Sequence, residues 1–130
     1  MRLSVVLDSV DPAGIADFWQ LALGYRRAGE LASFVVLLPA GDADAPGAPV
    51  VLLQKVREQP AGKNRMHLDL HPPDVHAHVA RLEALGGRRV GGPVTELLAT
   101  AGVWWQVMAD PQGNEFCVVA DPGHAPPADG

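Results

Sequence analysis

The chain has 130 residues, 48% of them hydrophobic, enough for one domain that buries about two thirds of its unfolded surface. Ten basic against fifteen acidic residues give a net charge of −5, with no basic cluster beyond Arg88-Arg89, which excludes a nucleic-acid footprint. No apolar run is long enough to span a bilayer, and the N-terminus lacks the pattern of a secretory signal. A single cysteine cannot form an internal disulfide, which suits a reducing compartment, and a cytoplasmic protein is expected.

In chain order, Leu3 to Val10 is a β-branched, apolar run that reads as a strand. Asp11-Pro12 then starts a helix, with Asp as cap and Pro at the first helical position. Ile15, Phe18, Trp19, Ala22 and Leu23 form its buried stripe, and Gly24 ends it. Strands are predicted at Tyr25 to Ala28, Ser33 to Leu38 and Val50 to Val56. Between the last two, Pro39 to Pro49 is almost wholly Gly, Asp, Ala and Pro, an exposed loop. Arg57 to Arg65 is polar and reads as a linker.

The pattern then restarts. Met66 to His71 is predicted as a strand, and Asp74 caps a helix with the stripe Val75, Val79, Leu82 and Leu85, closed by Gly86. Arg89 to Gly91 reads as a short strand, and Val94 to Thr100 is open between coil and a helical turn. Val103 to Val119 is a hairpin: Asp110 bonds the backbone ahead of it, Pro111 presets φ, and Gly113 takes the left-handed position. The tail from 123 to 130, rich in Pro, Gly and Ala, is expected to be disordered.

This is an internal repeat. Leu23-Gly24 recurs as Leu85-Gly86, an offset of 62 that sets Val5 against His67, and Gln54 corresponds to Cys117 at an offset of 63. Each half reads strand, helix, three strands. Neither is large enough for an independent core, so the fold class is α+β, built of two βαβββ modules at 1–56 and 66–122 joined by the linker 57–65.

Two such modules, with Asp11-Pro12, Phe18-Trp19, Leu23-Gly24-Tyr25 and the terminal Asp110-Pro-Gln-Gly-Asn-Glu-Phe116, resemble the vicinal oxygen chelate superfamily. That superfamily comprises glyoxalases, bleomycin-resistance proteins, fosfomycin-resistance enzymes and extradiol dioxygenases. The resemblance covers nearly the whole chain, 1–122, and is nearest to the small glyoxalase-like domain proteins of actinobacteria. It implies a curled mixed-sheet cup with the helices outside, holding a divalent metal (Zn, Ni, Mn, Co or Fe) and a small ligand. It also implies a homodimer. The superfamily takes its metal ligands from the first and last strand of each module, positions that fall here on Val5, Gln54, His67 and Cys117. Valine cannot ligate, and an amide is a weak ligand. His67, Gln54 and Cys117 therefore make an incomplete metal set.

The residues themselves nominate a site. Alternation puts His67, Asp69 and His71 on one strand face and Met66, Leu68 and Leu70 on the other, against the helix. Neighbours on such a face stand about 6.5–7 Å apart, too far for all three to chelate one ion, although Asp69 can orient a histidine as general base. Glu115 shares its face with Cys117, and Trp105, opposite in sense to Trp104, is the candidate aromatic wall. His67 and Glu115 are the catalytic candidates; Gln54, His67, Asp69, Trp105, Glu115 and Cys117 are the ligand-binding ones. His76 and His78 do not face each other on their helix and read as solvated.

The expected function is binding of a small, partly apolar ligand. Two alternatives stand beside it. One is a divalent-metal lyase, isomerase or dioxygenase acting on a carbonyl or vicinal-oxygen substrate. The other is a non-catalytic oligomerisation or partner module.

Overall fold

Two aspartates start the two principal helices. The Asp11 carboxylate accepts from the Gly14 N–H at 3.2 Å, and α1 (Pro12–Leu23) runs from it to Gly24 in the left-handed conformation. Asp74 accepts from the Ala77 N–H at 3.0 Å and opens α2 (Val75–Ala84). Each cap satisfies an amide that the helix cannot. The computed structural model that shows this describes residues 3–41, 47–62, 64 and 66–126.

The chain divides into two compact units, Met1–Ala61 and Gly62–Gly130. In the first, β1 (Ser4–Ser9), α1, β2 (Tyr25–Leu31), β3 (Phe34–Pro39) and β4 (Val50–Lys55) follow in order. The second repeats it with β5 (Asp69–Leu70), α2, β6 (Arg88–Arg89), β7 (Trp104–Ala109) and β8 (Glu115–Ala120), adding a short α3 (Leu98–Ala101) before β7. The sheet orders are β1-β4-β3-β2 and β5-β8-β7-β6. In both the first strand pairs parallel with the last and the other pairs are antiparallel. The βαβββ reading of each half is thus the observed one, and the class is α+β with two mixed sheets.

In the first unit α1 buries Ile15, Ala16, Phe18, Trp19 and Ala22, with Phe18 and Trp19 edge to face at 5.4 Å. The matching sheet face supplies Val35, Leu37, Val51 and Leu53, all nearly inaccessible. In the second, Val75, Val79 and Leu82 of α2 are buried, as are Phe116 and Val118 of β8, the strand that α2 meets. A buried leucine such as Leu82 is worth about 2–5 kcal/mol against alanine.

Several boundaries differ from expectation. Met66 to His71 contains only two ladder residues, although Cys117 N–H also donates to Leu68 O at 2.9 Å. β8 begins at Glu115, which the continued register places opposite His67, so Met66 has no β8 residue to pair with. Met66 is 85% exposed and not packed on the helix. Leu85 leaves the α2 stripe because it is the cap residue of the helix, 41% exposed. Tyr25 to Ala28 extends to Leu31, across a bulge between Arg27 and Gly29. The ambiguous Val94 to Thr100 takes the helical turn at its end, where Leu98 enters α3, and opens on an isolated bridge from Val94 to Trp105.

The loop predicted at Pro39 to Pro49 includes 42–46, and the linker includes 63 and 65, all outside the described residues. So are 127–130 of the tail; before them, the His124 carbonyl accepts from Trp104 Nε1 at 2.8 Å. The Ala125 carbonyl lies 3.1 Å from His76 Nε2. That ring also stacks on Trp104 at 5.4 Å, so His76 is exposed yet partnered.

Candidate functional site

β7 and β8 present one face to α2 and the other to a concave recess. The register pairs Trp105 with Val119 and Val107 with Cys117, and all four line the recess. Their neighbours Trp104, Met108, Phe116 and Val118 are fully buried on the helix side. The alternation expected of Trp104 and Trp105 is what the strands show.

The recess has a volume of about 690 Å³ and lies within the second unit. Its polar end is built by β5 and β8. Parallel pairing sets Asp69 beside Cys117, and continuing that register by two residues brings Glu115 alongside His67. The imidazole Nε2 of His67 lies 3.2 Å from Asp69 Oδ1, with both side chains about half exposed. Cys117 is 8% exposed. One ligand atom from each of His67, Asp69 and Cys117 falls within 4.8 Å of the other two. His71 also lines the recess, but its Nδ1 is 3.0 Å from Asp121 Oδ1, so Asp69 serves His67 and not His71.

The hairpin turn holds this end in place. The Asp110 carboxylate accepts from the amides of Gln112 and Asn114 at 2.8 and 2.9 Å, and Gly113 has φ 87°. Gly86, at φ 93°, packs against Pro111; a Cβ there would meet the proline Cγ at 3.3 Å. The Leu-Gly that closes α2 therefore also seats the turn.

Of the residues nominated from sequence, His67, Asp69, Trp105, Glu115 and Cys117 line one recess. Gln54 does not. It sits on β4 in the first unit, beside Asp8 of β1 and Phe34 of β3. Val107 and Val119 were within reach of the same alternation argument. Asn64 and Leu97 line the recess from outside the strands, where no periodicity marks them.

The register also corrects the repeat. Asp8 pairs with Gln54 as Asp69 pairs with Cys117, so the counterpart of His67 is Val6 and not Val5. The stretch from that aspartate to the Leu-Gly that stops the helix is one residue longer in the second unit, Asp69 to Leu85 against Asp8 to Leu23. An offset taken from the helices is therefore wrong for the strand, and a slip of one residue turns a side chain to the opposite face. Val6 is 48% exposed and on the same face as Asp8.

A family profile for the glyoxalase-like domain matches residues 4–119. The chain belongs to that family. Solved structures agree with the glyoxalase-like fold. A glyoxalase/bleomycin resistance protein/dioxygenase family enzyme from Burkholderia phytofirmans PsJN is 16% identical with a TM-score of 0.69, over 92% of this chain and 98% of that one. The fosfomycin resistance protein FosX from Listeria monocytogenes is 14% identical with a TM-score of 0.67, over 95% and 94%. A glyoxalase/bleomycin resistance protein/dioxygenase from Nocardioides is 15% identical with a TM-score of 0.66, over 98% and 87%. At such identities the likeness is one of fold, and the match to the glyoxalase-like family supports the vicinal oxygen chelate superfamily. No curated protein matches the chain.

A hard cation or Fe(II), held as in the superfamily by ligands from the first and last strands of the modules, does not fit the residues at those positions. By register those positions hold Val6, Gln54, His67 and Cys117: an alkyl group, an amide, an imidazole and a thiol. That is not the histidine-and-carboxylate set a hard cation or Fe(II) requires.

Proposed function

We propose that this glyoxalase-like domain binds a small, partly apolar molecule in the recess of its second unit. The observation that carries the reading is the recess itself. At about 690 Å³ it falls within the range of small-molecule sites, which combine apolar walls with a few convergent polar groups. Trp105, Val107 and Val119 form the wall, and His67, Asp69, Glu115 and Cys117 the polar end. The test is thermal unfolding in EDTA against a panel of small aromatic and carbonyl compounds. A ligand at about 100 times its Kd adds about 2.7 kcal/mol, on the order of 10 °C for a chain of this size. The absence of any shift across a broad panel would favour the partner-module alternative.

One contact favours chemistry at the same place. Asp69 against His67 at 3.2 Å is the arrangement of a general base with its orienting carboxylate. On that reading His67 takes a proton from a carbonyl or vicinal-oxygen compound, with Glu115 beside it as the second acid–base group. His67→Gln then abolishes turnover while the bound ligand still stabilises the fold. The proposal extends to a cytoplasmic homodimer, in keeping with the lone thiol and the superfamily; a monomer by light scattering at micromolar concentration would overturn the dimer. Among the described residues no helix is long and apolar enough to cross a membrane.

A further inference from the structure

We infer that the recess of the second unit takes an organic cation: a protonated primary amine held by Glu115 and Asp69, carried on a ring-bearing apolar body that lies along Val107 and Trp105. This rests on the reading of the recess as a ligand site and names the class of molecule that fits it. Charge decides the class. Among the described residues that line the recess there are two carboxylates, Asp69 and Glu115, two histidines, His67 and His71, and no lysine or arginine.

Each histidine already lies against a carboxylate. His67 Nε2 is 3.2 Å from Asp69 Oδ1, and His71 Nδ1 is 3.0 Å from Asp121 Oδ1. Glu115 is different. Among the described residues no hydrogen bond or ion pair reaches its side chain, and it is only partly exposed. A half-buried carboxylate without a counter-charge is costly, and a cation entering the recess relieves that cost.

The ladder spaces the two carboxylates for one ammonium. Asp69 is the direct partner of Cys117, and Glu115 lies two residues before Cys117 on β8, on the same face. Strands about 4.8 Å apart, with a rise of about 3.3 Å per residue, put the Cα atoms of Asp69 and Glu115 about 8 Å from each other. An ammonium has three N–H donors. Charge-assisted bonds of about 2.8 Å to each carboxylate, added to the reach of the two side chains, span that gap.

The other end of the same floor is apolar. Val107 pairs with Cys117 and Trp105 with Val119, so Trp105 stands two residues along β7 from the level of Asp69, about 6.5–7 Å away. The recess therefore runs from acidic to aromatic along the strands, and a ring set a few methylenes from an ammonium matches both ends. A phosphate or carboxylate compound meets like charge at the acidic end, and a neutral one leaves Glu115 without a counter-charge. The first unit lacks the pair: opposite Val6 its β4 has Leu52 where β8 has Glu115 opposite His67. The repeat has the same scaffold twice, and only its second copy has two carboxylates on this face.

The probes are phenylbutylamine, phenylbutanol and phenylbutyrate, which share a ring and a carbon chain and differ in charge. Each is titrated into the full chain by calorimetry in EDTA, so that no metal contributes. The amine is expected to bind about tenfold more tightly than the alcohol, at one site per chain, and the carboxylate more weakly than either. Added salt weakens the amine and leaves the alcohol unchanged. Glu115→Gln and Asp69→Asn each weaken the amine and keep the alcohol, and Glu115→Lys reverses the order in favour of phenylbutyrate. Glu58→Gln, which removes an exposed charge from the first unit, leaves the preference intact. Circular dichroism checks that each variant folds, and the salt dependence of the wild type serves where one does not. An alcohol or carboxylate bound as tightly as the amine overturns the cation class and leaves the recess a ligand site. So does an equal loss in Glu58→Gln and Glu115→Gln, which would mark a general field of the chain. No binding by any of the three, nor by the wider panel, removes the recess reading and this inference with it.

Discussion

Asp110 and Asn114 close the β7–β8 turn on each other through three bonds. The Asp110 N–H donates to the Asn114 carbonyl at 2.8 Å, while the Asp110 carboxylate accepts the Asn114 backbone N–H at 2.9 Å and its side-chain Nδ2 at 2.8 Å. Asp110 is only 2% exposed, so water cannot replace the carboxylate. Asp110→Ala is expected to cost on the order of 2–3 kcal/mol, because it removes the buried charged acceptor of the Gln112 and Asn114 amides. Asp110→Asn keeps one acceptor oxygen and loses less. Urea denaturation of the three proteins checks the order, and an Asp110→Ala midpoint equal to wild type would dismiss this role for the turn.

The contact between Gly86 and Pro111 makes the helix end and the turn interdependent. Gly24 and Gly86 both have positive φ, but a Cβ at Gly24 meets nothing within 4 Å, whereas at Gly86 it meets Pro111 Cγ at 3.3 Å. Gly24→Ala should cost about 1 kcal/mol from backbone strain alone. Gly86→Ala should cost more, and the excess should shrink in a Pro111→Ala background. A double-mutant cycle measures that coupling directly.

Trp104 and Trp105 are neighbours in sequence with opposite roles. Trp104 is 1% exposed, with its Nε1–H bonded to His124 O at 2.8 Å; Trp104→Ala is expected to destabilise by about 3–5 kcal/mol. Trp105 faces the recess, so Trp105→Ala should change stability much less and abolish ligand-induced stabilisation. If the two variants lost stability equally, the recess assignment of Trp105 would fail.

Tyr25, the one tyrosine of the chain, donates its O–H to Pro49 O at 2.8 Å, and burial raises its pKa above the usual 10.0. The folded chain therefore keeps the phenolic proton where the unfolded chain has already lost it. Fewer protons bound to the unfolded state means that stability falls as pH rises through this window, from about 10 upward. Below it the group contributes no pH dependence. Tyr25→Phe should lose about 1 kcal/mol at neutral pH with the hydrogen bond, and show a shallower alkaline decline. Phenolate absorbance of the folded protein should titrate later than that of the unfolded chain.

Local signals were legible in the sequence because their causes are local. The caps at Asp11 and Asp74, the stops at Gly24 and Gly86, and the turn chemistry of Asp110 and Gly113 each depend on a few consecutive residues. Alternation likewise put Glu115 and Cys117 on one face and turned Trp104 and Trp105 to opposite faces. The match of Val5 to His67 failed for a different reason: from strand aspartate to Leu-Gly the second unit is one residue longer, a length that the helix signals do not measure. Asn64 and Leu97 went unseen because irregular backbone has no period to read.

The sequence alone determined the two βαβββ modules, the family and the five residues that meet in the recess, since periodicity and turn chemistry act within each segment. The tertiary structure decided which side chains converge. Asp69 and Cys117 lie far apart in the chain, and only the parallel register of β5 on β8 makes them neighbours. Gln54 follows the same rule in its own unit, where it pairs with Asp8. Strand pairing is a contact between distant segments, set by packing of the whole module, and no local window of residues contains it.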